Sequence, residues 1–325
     1  MASNIVCFCA IFSLISFFLC TSHACDLTPN YYASSCPNLE TIVSRTMAQA
    51  LRKEARMGAS ILRLFFHDCF VNGCDGSVLL NDTPTFTGEH TAFGNANNSI
   101  RGFEVIDAIK SNVEASCSET VSCADILALA ARDGVRLLGG PSWIVPLGRR
   151  DARTANRTLA NQNLPPPSAN LTGQNGLIEL FTRHNLTAKD MTVLSGGHTI
   201  GLARCSSFRP HIYNDSNIDP RFAALRQANC PRPRGSGDFN LAPLDLQTPT
   251  RFDNDYYQNL VAKRGLLHSD QQLYNGGSED SLVLTYSRNQ AAFFQDFANS
   301  MINMGNIQPL TGTNGEIRKK CGFVN

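Results

Sequence analysis

The chain has 325 residues, 42% of them apolar and 17% charged, which is ordinary for a globular protein with a large core. A formal net charge of +1 leaves no electrostatic footprint for nucleic acid or for an anionic membrane surface.

Residues 5–20, "IVCFCAIFSLISFFLC", form an uncharged apolar run followed by the small-residue site Ser22-His23-Ala24. This has the shape of a secretory signal over 1–24, although its leading region lacks Lys and Arg. Sixteen residues is short for a membrane span. No later segment is long and apolar enough to cross a bilayer, so the expected division is a signal over 1–24 and one domain over 25–325.

The body reads helical. Asn38 opens a helix with Leu39, Ile42, Val43, Met47 and Leu51 on one face. "ASILRLFFHDCF" is apolar on nearly every side and should be a buried helix. "SCADILALAARDGVRLLGG" has Ser122 as cap, Asp125 three residues on, and Gly139-Gly140 as a stop. The Pro-rich "NLPPPSANL" at 163–171 is the best boundary between two halves. "TAKDMTVLSGGHTIG" repeats the capping device with Thr187 and Asp190, and "DPRFAALRQANC" places Pro220 after the capping Asp219. "DNDYYQNLVAKRG" should run from Asp253 to Gly265, and "SRNQAAFFQDFANSMINMG" is the last long helix. Strand-like alternation is confined to short pieces such as "SWIVPLG". The expected fold is all-α, one unit of two lobes.

Beyond the leader and Cys25 lie eight cysteines: Cys36, Cys69, Cys74, Cys117, Cys123, Cys205, Cys230 and Cys321. An even number in an exported chain indicates four disulfides, but eight cysteines allow 105 pairings and spacing does not choose among them. Cleavage after Ala24 would leave Cys25 unpaired. Asn-x-Ser/Thr sequons begin at Asn81, Asn97, Asn156, Asn170, Asn185 and Asn214, all glycan candidates in a secreted chain.

In "RLFFHDCFVNGCDGS", residues 63–77, Arg63 and His67 are four apart and share a helix face, with Phe66 beside them. Burying both makes sense if they face a polar cavity or a ligand; the alternative is a core salt bridge beside a structural histidine. Asp68 points elsewhere. With Asp75, Ser77 and the carbonyls of Val71 and Gly73 it offers hard oxygen ligands on a tight loop, which suits calcium. A solvated acidic turn is the competing reading, and a Cys69–Cys74 bridge could close the same loop. In "LSGGHTIG", His198 follows two glycines, which would let a large flat group approach the backbone. Motifs for serine hydrolases, zinc proteases, P-loops, dinucleotide folds and covalent haem attachment are absent.

"RLFFHDCFVNGCDGSVLL", "AFGNAN", "RGFEVID", "VSCADILALAARD", "GGPSW", "PLGRRD", "NLPPP", "LSGGHTIG", "FDNDYY" and "SDQQL" together resemble the plant secretory haem peroxidases of class III, in order from about Leu27 to Cys321. The resemblance implies haem b between two lobes, with His198 as iron ligand and Asp270 accepting its other ring N–H. It implies that His67 moves the proton of hydrogen peroxide, that Arg63 supplies positive charge, and that Asn95 orients His67. Phe66 would shield the iron, and phenolic donors would give up single electrons near Pro165. Two Ca²⁺ ions are implied. Asp68, Val71, Gly73, Asp75 and Ser77 would hold the distal ion, with Glu89 acting through water. Thr199, Asp245, Thr248 and Asp253, with the carbonyl of Arg251, would hold the proximal one.

The implied disulfides are Cys36–Cys117, Cys69–Cys74, Cys123–Cys321 and Cys205–Cys230. Cys25 and one extra residue in "NANNSIRGF" depart from the family pattern, both away from the chemistry. The chain ends at "CGFVN", without the hydrophobic extension that vacuolar members tend to carry, so the resemblance implies a monomer of the apoplast or cell wall. Its partners would be peroxide and small phenolic donors. A haem-free calcium-binding wall glycoprotein is the second reading, and loss of Arg63, His67 or His198 would mark it. All three are present.

Overall fold

The apolar motif helix, α2 (Met57–Cys69), crosses α4 (Cys123–Leu137) in the middle of the distal half, with α1 (Leu39–Lys53) and α3 (Phe103–Ser116) packed against α4 from outside. The structure, a computed structural model, describes residues 27–325. The expected leader and Cys25 lie outside the described residues. Every residue of α4 from Cys123 to Val135 is buried, in keeping with a sequence rich in Ala and aliphatic residues. The two helices meet at Gly58 and Gly134, where a Cβ on Gly58 would stand 2.6 Å from Leu138 Cδ1 and 3.3 Å from Gly134 O. Close approach there brings the Arg63–His67 face of α2 to a fixed height in the molecule.

The second half follows α5 (Arg157–Asn163) and a non-helical passage through the prolines. It contains α6 (Leu177–Thr182), α7 (Ala188–Ser195), a 3₁₀ turn (Gly196–Thr199), α8 (Cys205–Asn214) and α9 (Pro220–Gln227). It closes with α10 (Asp255–Val261), α11 (His268–Gln272), α12 (Asp280–Arg288) and α13 (Gln290–Gly305). Helix α7 packs on α13 and α6, α10 on α12, and the 3₁₀ turn touches both α10 and α2. One apolar core runs through both halves, and a smaller one lies under α8 and α9. Among the described residues no helix is long and apolar enough to cross a membrane. The fold is all-α apart from one antiparallel pair, β1 (Leu202–Arg204) with β2 (Leu241–Pro243), in which Ala203 faces Ala242.

Side-chain capping explains some of the helix starts. Ser122 accepts from Asp125 N, Thr187 and Asp190 form the reciprocal box, and Asp219 accepts from Phe222 N ahead of Pro220. Asn38 makes no side-chain cap bond. The Asp125 carboxylate does not close a box; it is fully buried and pairs with Arg149 Nη1 at 2.8 Å. Helix α10 begins at Asp255, because Asp253 turns its carboxylate back to accept from Asp255 N. The expected last helix breaks at Asn289 (φ −136°, ψ 87°), whose side chain accepts from Ala292 N, so Ser287 and Arg288 end α12 instead. "SWIVPLG" contributes only an isolated bridge between Leu147 and Thr28. The strands β1 and β2 were not expected, since three residues are too few to display alternation.

Four disulfides join Cys36–Cys117, Cys69–Cys74, Cys123–Cys321 and Cys205–Cys230, the same pairs that the resemblance implies.

Candidate active site

On α2, His67 is 4% exposed and its Nδ1 lies 2.5 Å from Asn95 Oδ1. Asn95 Nδ2 donates to the Glu89 carbonyl at 2.9 Å, which commits the amide and leaves Oδ1 facing the ring. An amide oxygen only accepts, so His67 carries its proton on Nδ1 and keeps a bare lone pair on Nε2. Burial first, and the Arg63 charge second, hold the imidazole well below its usual pKa; the Asn95 bond opposes them. The result is a neutral base at physiological pH.

Arg63, one turn earlier, donates through Nη1 to Ser99 O (2.8 Å) and through Nη2 to Gly94 O (2.7 Å). Burial, with Arg204 and Arg56 nearby, lowers its pKa to about 10, so it stays charged. Phe66 lies edge-on to His67 with centroids 5.3 Å apart and packs on Phe70 at 4.4 Å. Pro165 is half-buried and follows Leu164, whose side chain faces Gly94.

The 3₁₀ turn after α7 presents His198 from the other half. Its Nδ1 donates to Asp270 Oδ1 at 2.7 Å, while its side chain stays 40% exposed and Nε2 has no protein partner among the described residues. Asp270 is buried on α11, and also accepts from Tyr256 Oη (3.0 Å) and Leu267 N (3.1 Å). His198 thus offers an electron-rich Nε2 with no protein partner, and His67 keeps a bare lone pair on its own Nε2. That donor set fits a haem iron. The two glycines before His198 have different surroundings. A Cβ on Gly196 would collide with Tyr257 Oη and Phe293, so protein packing excludes a side chain there; Gly197 meets only Leu62 Cδ2, at 3.3 Å.

Each histidine adjoins a cluster of buried oxygens. Asp68 follows His67; its carboxylate accepts from Gly76 N (2.9 Å) and Val78 N (3.4 Å), and Asp75 Oδ1 accepts from Ser77 N (2.9 Å). Asp68, Asp75, Ser77 and Glu89 are all buried, and Ser77 Oγ and Glu89 Oε2 have no hydrogen-bond partner. Burial pushes Asp75 up to about 6 and Glu89 up to about 7, and burial with the Asp75 charge pushes Asp68 well up. Val71 and Gly73 lie in the loop that the Cys69–Cys74 bridge closes. Unpaired buried oxygens beside crowded carboxyls fit a hard cation.

On the other side, Thr199 follows His198, and its Oγ1 lies 3.2 Å from Asp245 Oδ2 and 3.3 Å from Asp253 Oδ1. Thr248 Oγ1 donates to Asp253 Oδ1 at 3.1 Å. Burial raises Asp245, with the charges of Asp253 and Asp255 adding to it. The Arg251 side chain is 71% exposed, with Nε 3.7 Å from Asp253 Oδ2.

Tyr256 is the member of the site that sequence reasoning missed. "FDNDYY" contains two tyrosines in succession, and nothing in that pattern says which hydroxyl reaches Asp270.

Comparison with known proteins gives the family. A family model described as Peroxidase matches residues 43–289. Peroxidase 4 of Vitis vinifera is 60% identical over 304 residues, covering 94% of both chains. Peroxidase 70 of Zea mays is 60% identical over 300 residues, 92% of both chains. Peroxidase P7 of Brassica rapa subsp. rapa is 58% identical over 300 residues, 92% of this chain and 100% of the relative. The chain belongs to the plant class III peroxidases. It is a haem enzyme that reduces hydrogen peroxide at the expense of a donor.

Proposed function

We propose that this peroxidase works outside the cell on small phenolic donors, with the division of labour set by His67 and His198. The observation that carries the reading is the pair of oriented rings: His67 held by Asn95, and His198 held by Asp270. Bound haem supplies the redox-active iron at which peroxide is reduced and from which single-electron oxidation of donors proceeds.

His198 Nε2 would hold the iron. Asp270, accepting the other ring N–H, would make that nitrogen a stronger donor. His67 Nε2 takes the proton from the incoming peroxide and returns it to the departing oxygen, so one residue is base and then acid. Asn95 keeps the lone pair on the correct nitrogen. Arg63, tied to two carbonyls and still charged, stabilises the negative charge that develops as the O–O bond opens. Phe66 fills the space next to His67 and keeps bulky donors out, which leaves them the rim near Pro165.

Calcium would be held on the distal side by Asp68, Asp75, Ser77 and the Val71 and Gly73 carbonyls, with Glu89 acting through water. On the proximal side Thr199, Asp245, Thr248, Asp253 and the Arg251 carbonyl would hold a second ion. Both histidines belong to one chain, so a single copy carries the whole site. Four disulfides suit an oxidising compartment, and exposed sequons such as Asn185 and Asn214 suit glycosylation. An apoplast or wall destination follows from these.

Rapid mixing with peroxide tests the roles. His67→Ala should retain haem and react about 10²–10⁴-fold more slowly, the usual contribution of general acid–base catalysis. His198→Ala should lose haem or its normal spectrum. Unchanged rates in the first variant, or an unchanged spectrum in the second, would overturn the assignment. Steady-state turnover of a panel of phenols against non-phenolic donors tests the substrate class.

A further inference from the structure

A third histidine cluster lies apart from the haem and calcium groups. His211, near the end of α8, and His268, the first residue of α11, both aim Nδ1 at one atom, Asp215 Oδ2, at 2.6 Å each. Their second nitrogens also face oxygens. His211 Nε2 lies 3.2 Å from the Gly265 carbonyl, and His268 Nε2 lies 3.0 Å from Asn170 Oδ1.

A neutral imidazole has one N–H and one lone pair, and His211 faces an acceptor on each side. The Gly265 carbonyl accepts only, so with the proton on Nε2 the Nδ1 lone pair of His211 confronts the carboxylate. His268 faces the same carboxylate oxygen and the Asn170 amide, whose oxygen accepts as it is placed. A lone pair so close to a carboxylate oxygen is repelled unless positive charge stands between them, and a metal cation can supply it.

We propose that His211, Asp215 and His268 form a binding site for a divalent transition-metal ion of the zinc class. The ligands are the two Nδ1 atoms and the Asp215 carboxylate, with water in the fourth position. The donor atoms already lie within 4.8 Å of one another. Ligand bonds of about 2.0–2.2 Å need only a small spreading of the present contacts. Each Nε2–H given to an oxygen acceptor is the arrangement that fixes the tautomer of a metal-ligating histidine. Two imidazoles disfavour calcium or magnesium and suit zinc, copper or nickel. Access is also suitable: the His211 side chain is 1% exposed, while Asp215 and His268 are 25% and 23% exposed, so ion and water can enter from that side.

The ion would clamp α8 to α11. Since Asp270 lies two residues beyond His268 on α11, occupancy of this site reaches the partner of His198 through one short helix.

The test uses untagged holoenzyme, dialysed against a chelator and returned to calcium, then titrated with Zn²⁺ by calorimetry. Elemental analysis after gel filtration counts the bound metal. One Zn²⁺ per chain should bind and raise the unfolding temperature. His268→Ala and Asp215→Asn should weaken binding by at least the roughly 10–100-fold that loss of even an outer-shell partner costs. His268→Gln, which keeps most of the side-chain volume, should also fail to bind tightly, with the haem spectrum confirming that each variant is folded. Absence of Zn²⁺ uptake by the wild type would overturn the proposal and leave a purely hydrogen-bonded cluster. Equal Zn²⁺ stoichiometry and affinity in all three variants would overturn it too.

Discussion

His67 and Arg63 sit one helical turn apart, and each alters what the other can do. The Arg63 charge helps hold His67 neutral, second only to burial. Arg63→Leu removes that repulsion, so the His67 pKa should rise. With the neutral ring as the base in the proposed mechanism, the acid limb of the peroxide reaction should therefore move to higher pH. The plateau rate should also drop by about 10²–10³-fold, the range for losing one preorganised electrostatic donor. Stopped-flow rates across a pH series would check both effects, and a limb that stayed in place would contradict the electrostatic coupling.

On the other side, Tyr256 donates to the same Asp270 oxygen as His198 does. Burial, followed by the Asp270 charge, pushes its hydroxyl far up, so it acts only as a donor. Tyr256→Phe should make Asp270 a stronger acceptor for His198, and the iron midpoint potential should become more negative. Loss of the bond should cost about 0.5–1.5 kcal/mol of stability. Redox titration and thermal melts would read the two effects separately, and an unshifted potential would show that Tyr256 does not tune His198.

At the scale of elements, the end of α2 depends on what lies beyond it. Asp68, Asp75 and Glu89 have folded-state pKa values raised above the unfolded range of about 3.9–4.3. Without a cation, the folded protein binds protons more tightly than the unfolded chain. Stability of the calcium-depleted enzyme should therefore fall as pH rises from about 4 through about 7, where Glu89 has also ionised. Added calcium should flatten this dependence, and at 100 times its dissociation constant it should add about 2.7 kcal/mol. Unfolding temperatures measured across pH, with and without calcium, would show it. Equal slopes in both series would mean that no ion binds these carboxylates.

The α7 helix is positioned differently, by hydrogen bonds to its own cap and to α13. Asp190 closes the capping box with Thr187 and also accepts from Ser300 Oγ (2.7 Å) and Asn303 Nδ2 (3.0 Å) on α13. The first turn of α7 is thereby pinned to α13, and the turn bearing His198 follows the end of the helix directly.

For the whole molecule, the chain end is stitched to the start of α4. Cys123 pairs with Cys321 across a sequence separation of 198, and Asp151 accepts from the backbone of Cys123, Ala124 and Arg318. The Arg318 guanidinium, fully buried, donates to Gly76 O and Cys321 O at 2.6 Å each. Removing the bridge with Cys123→Ala and Cys321→Ala together should cost about 2–5 kcal/mol, mostly by freeing the unfolded chain. The unfolding midpoint should drop while the haem spectrum and peroxide rate at low temperature stay close to wild type. A changed spectrum would show that the bridge also shapes the site.

Sequence alone determined the helical character, because burial of α2 and α4 is written in predominantly apolar and small residues, and capping pairs such as Thr187 with Asp190 are local. It also placed Arg63 and His67 on one face, since helical periodicity suffices for that. The disulfide pairs and the partners Asn95 and Asp270 came from family resemblance, as neither spacing nor composition points to them. Only the tertiary structure decided which tyrosine reaches Asp270, why Gly196 must lack a side chain, and where the last helix begins. It alone brought His211, Asp215 and His268 to a common point from α8 and α11. Those facts depend on contacts between residues distant in the chain, whose geometry is set by how whole helices pack and leaves no periodic trace in the sequence.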